Sequence, residues 1–102
     1  MDDREKKLIE QYEAVGHLDG RTLLLRRADA LRFIDDCERV GLVILGMDFF
    51  DPQSSAIIPL GIADYSSVSN QPDAPAVTAA AARVLIADGF PDSATRVEFV
   101  LG

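Results

Sequence analysis

The residues best suited to nucleophilic or metal chemistry are the single histidine, His17, and the single cysteine, Cys37. Nucleophilic catalysis needs a serine or cysteine beside a base, and a zinc site needs several ligands at regular spacing. Cys37 falls on the apolar face of a predicted helix, where a buried structural thiol is expected. His17 falls in a predicted turn at the end of another helix. No Cys-x-x-Cys, His-Glu-x-x-His or glycine-rich phosphate-binding motif is present. We expect no enzyme activity, no metal and no cofactor.

Carboxylates are the other candidates for chemistry, and Asp35 and Asp36 are adjacent in sequence. Neighbouring positions on a helix splay by about 100°, so these two side chains do not form an acid–base pair. We expect them on a solvated face, in i,i+4 ion pairs between Arg32 and Asp36 and between Asp35 and Arg39.

The segment Asp48-Phe49-Phe50-Asp51 combines two acids with two aromatic rings at the exit of a predicted apolar strand. Alternation sends the two rings to opposite sides of an extended chain, so at most one enters the core of a two-layer fold. Two alternatives remain for these rings: the loop over 64–74 buries them both, or one serves as an anchor for a partner. Tyr65 opens that loop and is expected at the same end of the sheet. The predicted partner-binding residues are Asp48, Phe49, Phe50, Asp51, Asp64 and Tyr65.

The charge of the chain indicates what kind of partner it suits. The net charge is −7 and the isoelectric point about 4.4. Residues 1–41 hold ten acids and eight bases, whereas residues 42–102 hold seven acids and two bases. An acidic protein repels phosphate groups, so we expect neither nucleic acid nor a membrane as partner, and a basic protein surface fits better. The charged first residues and the lack of a long apolar run predict a cytoplasmic protein.

Hydrophobic periodicity and turn residues predict three helices and three strands. The helices are expected over 3–15, 28–40 and 75–87, and the strands over 42–47, 56–63 and 95–101. Residues 17–27 are expected to form a turn and an irregular or extended connection. We predict a single domain, 1–102, of the α+β class, with a mainly antiparallel three-stranded sheet in one layer and about three helices in the other.

Several residues predict details of these elements. Gly41 is expected to end the second helix, and Pro59 and Gly61 predict an edge or bulged strand. The buried face of the third helix is predicted to carry Val77, Ala80, Ala81, Val84 and Leu85.

The run from Ala30 to Phe50 resembles small immunity proteins of bacterial polymorphic-toxin systems, notably the MafI-type group. It carries a helix and then an apolar strand that ends in Leu45-Gly46-Met47-Asp48-Phe49-Phe50, and the closing strand over 95–101 is weakly similar as well. The resemblance implies a cytoplasmic protein that binds and blocks a cognate toxin. Phe50 stands where a glycine often follows the aromatic residue in that group.

We expect one of two functions. The first is an immunity-type protein, a monomer or weak dimer when free, that neutralises a basic toxin domain through an acidic, aromatic-containing surface. The alternative is a small non-enzymatic domain that binds a ligand or self-associates, with an apolar pocket between helices and sheet.

Overall fold

The computed structural model describes residues 3–19, 22–51, 58–89 and 96–102. These residues form three α-helices, five β-strands and a short 3₁₀ turn at Ser66–Val68. In chain order the elements are α1 (Asp3–Glu13), β1 (His17–Asp19), β2 (Thr22–Leu24), α2 (Arg27–Val40), β3 (Ile44–Asp51), β4 (Ile58–Asp64), α3 (Ala74–Gly89) and β5 (Arg96–Leu101).

The main sheet has three antiparallel strands in the order β4-β3-β5, which places β3 in the centre. The short strands β1 and β2 pair with each other as a second antiparallel sheet. Leu25, the residue after β2, exchanges two backbone hydrogen bonds of 2.9 Å with Val97 and so joins this hairpin to the edge of β5. The predicted α+β class, with three helices and a three-stranded antiparallel sheet, is confirmed.

One continuous apolar core lies between the helices and one face of the sheet. Each of the three helices contributes buried side chains to it, and the central strand contributes Ile44, Met47 and Phe49. Tyr12 and Phe33 pack edge to face inside it, with ring centroids 5.1 Å apart. The helices therefore form one layer and the sheet the other, as a two-layer fold requires.

The second helix ends at Gly41, as its position in the sequence predicts. Gly41 has φ 78°, in the left-handed region, and its N–H bonds to carbonyls of the last turn. The Arg4 side chain of α1 donates a 2.7 Å hydrogen bond to the Val40 carbonyl. A cation from the first helix thus meets the negative end of the second helix dipole.

The central strand is longer than predicted, and this changes the setting of the expected binding segment. β3 runs to Asp51, so Asp48-Phe49-Phe50-Asp51 is its second half and not its exit turn. Met47 and Phe49 are buried while Asp48 and Phe50 are half-buried, which is the alternation of a strand with one covered face. Asp51-Pro52-Gln53-Ser54 has residue types that predict a turn, and residues 52–54 of it lie outside the described residues.

The connection after α1, expected to be a turn and an irregular or extended stretch, contains a hairpin. His17, Leu18 and Asp19 pair with Leu24, Leu23 and Thr22. Because Leu24 and Leu25 are almost fully buried, their burial beside β5 fixes this segment as strand.

Pro59 and Gly61 distort the hairpin of β3 and β4, as their residue types predict. The register shifts between Phe49, which pairs with Gly61, and Phe50, which pairs with Pro59. Within the described residues, β4 is an edge strand. An edge position and a bulge are the places where a sheet tolerates proline.

The buried face of α3 is not the predicted one. Ala79, Ala82 and Ile86 are fully buried, whereas Val84 is 62% exposed and Ala80 is also exposed. The observed face has the same helical spacing as the predicted one but is rotated around the axis. Thr78 is buried as well, because its hydroxyl bonds to the Ile44 N–H at the start of β3. None of the described helices has the length and apolar character needed to cross a membrane.

Candidate protein-binding face

The face of the main sheet that points away from the core carries the charged and aromatic residues predicted for binding. In β3, Met47 and Phe49 point into the core, so alternation turns Asp48 and Phe50 to the other side. The helices form the core with the first face, and Val100 on the second face is 43% exposed. We call this second face the open face, and its described residues are Gly46, Asp48, Phe50, Asp64, Arg96, Glu98 and Val100.

Strand register brings three carboxylates together on the open face. Glu98 of β5 lies directly opposite Asp48, and Asp64 of β4 lies directly opposite Gly46, two residues before Asp48. Directly paired residues of antiparallel strands share a face, so each of the three strands contributes one acid. Arg96 lies opposite Phe50 on the same face. This register unites residues that lie 50 positions apart in sequence.

The electrostatics of these acids differ from one another. Asp64 is exposed, and hydrogen bonds from the Ser66 side chain and from the Ser66 N–H, the latter 2.9 Å long, hold its pKa below the ordinary value. Arg96 and Glu98 each make an interaction inside the protein. Asp48 makes no hydrogen bond or ion pair within the described part of the chain, although it lies opposite a second acid. Two like charges in directly opposite positions weaken a sheet, and a cation from a partner would be attracted to this arrangement.

An open depression of about 280 Å³ lies on the open face beside Asp48. Gly46 forms part of its floor, and a Cβ atom at that position would stand 2.5 Å from the Ala63 carbonyl oxygen. Asp48 and Asp64 flank the depression, and its remaining lining is formed by Leu45, Met47, Ala63, Ser66 and Val100. Because the side chains of Met47 and Ala63 pack in the core, the depression combines the exposed Val100 side chain with two carboxylates.

Three of the six predicted site residues are not placed on this surface. Phe49 is 6% exposed and belongs to the core. Tyr65 follows Asp64 and bonds through its N–H to the Leu45 carbonyl, about five residues or roughly 17 Å along β3 from Phe50. The prediction that Tyr65 joins the end of the sheet near Phe50 was wrong, because the antiparallel hairpin returns it to the beginning of β3. Asp51 pairs through its backbone with Ile58, and its side chain lies outside the described residues.

Tyr65 is half-buried against the core, and burial raises the pKa of its hydroxyl. Cys37 is fully buried, as predicted, and desolvation raises the pKa of its thiol to about 12. A thiol with such a pKa is a poor nucleophile at neutral pH. In the described ranges no three His, Cys, Asp or Glu side chains come close enough together to hold a metal ion.

Sequence reasoning missed Glu98, Arg96 and Val100 as members of the face. The signal was present, since β5 reads Arg96-Val97-Glu98-Phe99 and its alternation predicts one polar side. The pattern does not reveal which residue of β3 stands opposite Glu98, because a register shift between Ile44 and Gly46 offsets the two strands.

A second, more enclosed cavity of about 170 Å³ lies on the helical side of the sheet. Its walls are mostly aliphatic and aromatic side chains from α1, β2, α2 and β5. The lining residues are Ile9, Leu23, Leu25, Phe33, Glu98, Phe99 and Leu101.

Neither a protein-family model, nor a curated protein, nor a solved structure matches this chain. What the protein does must therefore be inferred from its charge, its open face and the two cavities described above.

Proposed function

We propose that this chain is an immunity-type protein that binds a basic toxin domain in the cytoplasm and blocks it by covering its surface. The observation that carries the proposal is the open face, where Asp48, Asp64 and Glu98 are presented by three neighbouring strands. The resemblance of residues 30–50 to immunity proteins supports the same proposal. The protein acts by occupying a surface, so it needs no reactive group of its own.

The energetics of the open face favour a binding role over a purely structural one. A half-buried Asp48 opposite Glu98 costs stability in the free protein, because like charges are held in adjacent positions. A cationic partner removes that cost and adds charge-assisted hydrogen bonds. Phe50 lies on the same face and supplies aromatic contact area, the usual companion of charged rims in tight interfaces.

The net charge of −7 supports fast recognition of such a partner. Complementary charge raises association rates well above those of neutral pairs, and this gain disappears when salt screens it. An inhibitor of a toxin benefits from speed, because unbound toxin acts on the cell that makes it.

The test uses the protein encoded next to this chain's gene, purified as an inactive variant. We expect a stable complex whose association rate falls about tenfold when Asp48 and Asp64 are both replaced by Lys. A control variant with Glu10→Lys and Asp73→Lys changes the net charge equally, from −7 to −3, at exposed positions on α1 and before α3. Stopped-flow measurements at low salt compare the three proteins.

Absence of any complex contradicts the proposed function. Equal association rates for the two double variants contradict the role of the open face, because net charge alone then explains the effect. Circular dichroism and thermal unfolding confirm that both variants are folded. At about 0.5 M NaCl the difference between the variants is expected to shrink, since the screening length is then only a few ångströms.

The partly open cavity of about 170 Å³ on the helical side of the sheet favours a second candidate function, binding of a small apolar ligand. Its apolar lining and its size resemble those of cavities that hold benzene-sized molecules. Titration of the protein with indole, followed by amide NMR shifts, tests this candidate. If this candidate is correct, we expect amide shifts confined to Leu25, Phe33 and Phe99. We also expect Leu23→Trp, which fills the cavity, to abolish them. A protein unaffected by indole argues against it.

A further inference from the structure

We propose that the depression over Gly46 is the binding site for one arginine side chain of the partner, held between Asp48 and Asp64. This proposal rests on the proposed function and names the chemistry that the open face recognises. Its parts are a floor without a side chain, the exposed side chain of Val100 and a carboxylate on either side.

The floor of the depression exists because position 46 cannot carry a side chain. A Cβ atom there would lie 2.5 Å from the Ala63 carbonyl oxygen, so the backbones of β3 and β4 approach too closely for any residue but glycine. The neighbouring residues of the face do carry side chains. A recess one residue wide therefore opens between Asp64 on one strand and Asp48 on the next.

The spacing of the two carboxylates suits a guanidinium group. Asp48 and Asp64 are diagonal neighbours on adjacent strands, for which the Cβ atoms are about 7–8 Å apart. A planar guanidinium offers five N–H donors pointing in different directions, so it can bond to acids on both of its sides, which a compact ammonium does less well. Asp64 already turns one oxygen to the Ser66 N–H, which fixes the orientation of its carboxylate.

The side chain of Val100 suits the stem of the same arginine. Val100 lines the depression and is 43% exposed in the free protein, whereas Met47 and Ala63 turn their side chains to the core. The methylene groups of an arginine can cover the Val100 side chain while its charged end reaches the two carboxylates. A bare metal ion would gain nothing from this apolar contact, and no three described carboxylates converge to hold one.

The experiment titrates ¹⁵N-labelled protein at low salt with acetyl-Gly-Arg-Gly-amide. The comparison peptide carries citrulline, which keeps the shape of arginine but lacks its charge. We expect amide shifts at Gly46, Ala63, Asp64 and Ser66 that saturate with a roughly millimolar dissociation constant for arginine, and negligible shifts for citrulline.

Variants then assign the binding to the two carboxylates. Asp48→Asn and Asp64→Asn are each expected to weaken binding roughly three- to tenfold, whereas the exposed control Asp73→Asn leaves it unchanged. Asparagine at 64 retains the oxygen that accepts the Ser66 N–H, so the local turn is preserved. No shifts up to about 20 mM peptide, equal binding of citrulline, or insensitivity to both variants would each overturn the arginine site.

The peptide assay does not contain the toxin, so its outcome is independent of the proposed function. If the peptide binds but the neighbouring gene's product forms no complex, the arginine site stands and the toxin is excluded as the partner that supplies the arginine. If the complex forms but the peptide does not bind, the proposed function stands and the arginine site is excluded.

Discussion

The contact between Tyr12 and Asp36 shows how single residues attach the first helix to the rest of the domain. The Tyr12 hydroxyl donates a 2.7 Å hydrogen bond to Asp36 Oδ2, and this bond holds the pKa of Asp36 below its ordinary value. Burial raises the pKa of the Tyr12 hydroxyl far above 10, and the neighbouring Asp36 raises it further. The bond is therefore strongest when the carboxylate is charged and the phenol is neutral.

Replacing Tyr12 by Phe keeps the ring against Phe33 and removes only this bond. We expect a loss of about 1 kcal/mol in the free energy of unfolding at pH 7. Because the folded pKa of Asp36 is lowered, the stabilisation is present above the unfolded value near 4 and is lost as pH falls through the folded value. Urea unfolding at pH 7, 5 and about 3 measures the difference between the two proteins.

A difference that stays constant down to about pH 3 would contradict this origin of the stability. At high pH the stability contributed by this bond depends on pH in the opposite direction. The raised pKa of Tyr12 means that its contribution is complete below about pH 10 and is lost as pH rises through the folded value. Tyr12→Phe is therefore expected to be less sensitive to alkali than the parent protein.

The ion pairs of α2 show where sequence spacing is informative and where it is not. The i,i+4 pairs Arg32–Asp36 and Asp35–Arg39 were predicted, but both arginines pair with acids three residues earlier, at Asp29 and Asp36. Asp35 instead accepts a 2.9 Å hydrogen bond from Arg83 of α3. Local spacing supplies several candidate partners, and only the packing of α3 on α2 decides among them.

At the scale of elements, a side chain of α3 determines how the central strand begins. Thr78 is fully buried, accepts a 3.1 Å hydrogen bond from the Ile44 N–H and donates a 2.8 Å bond to the Ala74 carbonyl. The register of β3 with β5 shifts between Ile44 and Gly46, so this N–H lies at an irregular point of the ladder. The hydroxyl supplies the acceptor that a buried backbone group requires.

Thr78→Val preserves the shape of the side chain and removes the hydroxyl. We expect a loss of about 1–3 kcal/mol in unfolding free energy, because the Ile44 N–H is left buried without an acceptor. Amide hydrogen exchange provides the specific readout, and the Ile44 amide is expected to lose protection in the Val variant. Thr78→Ser is the matched control, since it keeps the hydroxyl and should keep that protection. Equal protection of the Ile44 amide in all three proteins would exclude this role.

Much of the element structure could be predicted from the chain, and the errors have identifiable physical causes. The spacing of Leu31, Ile34 and Cys37 on α2 and its stop at Gly41 are local signals, and the helix is found where they place it. In α3, alanines occupy so many positions that two faces have similar hydrophobicity. The tertiary bond from Thr78 to β3 selects the face with Ile86, which periodicity alone does not distinguish from the face with Val84.

The binding face could be predicted only in part for a similar reason. Alternation at Phe49 and Phe50 correctly places one ring in the core and the other outside it. The neighbours of Asp48 depend on strand register, and two register shifts in β3 decide that Glu98 and Asp64 accompany it and that Tyr65 does not. Such shifts leave little trace in a single sequence, beyond the Pro59 and Gly61 that indicate one of them.

At the scale of the whole molecule, the two layers carry their charge differently. On the helical layer, acids are matched by cations, as where Arg83 bonds to both Asp35 and Glu38. Arg27 likewise donates a 2.7 Å hydrogen bond to the Ala87 carbonyl near the end of α3. On the open face, Asp48, Asp64 and Glu98 accompany the single described cation Arg96. The described residues of the open face therefore carry an excess of two negative charges, on the face proposed to bind a partner.

Salt is consequently expected to stabilise the free protein. Added ions weaken the exposed ion pairs of α2 and α3, but such pairs contribute little, whereas the repulsion of an excess of seven negative charges is relieved throughout the surface. Between about 10 and 200 mM NaCl we expect the melting temperature to rise by roughly 2–4 °C, equivalent to about 0.5 kcal/mol for a domain of this size. The variant Asp48→Asn should rise less, while the control Glu10→Gln removes the same single charge at an exposed position and should retain most of the rise. A melting temperature that falls with salt, or equal slopes for the two variants, would mean that the repulsion is not concentrated on the open face.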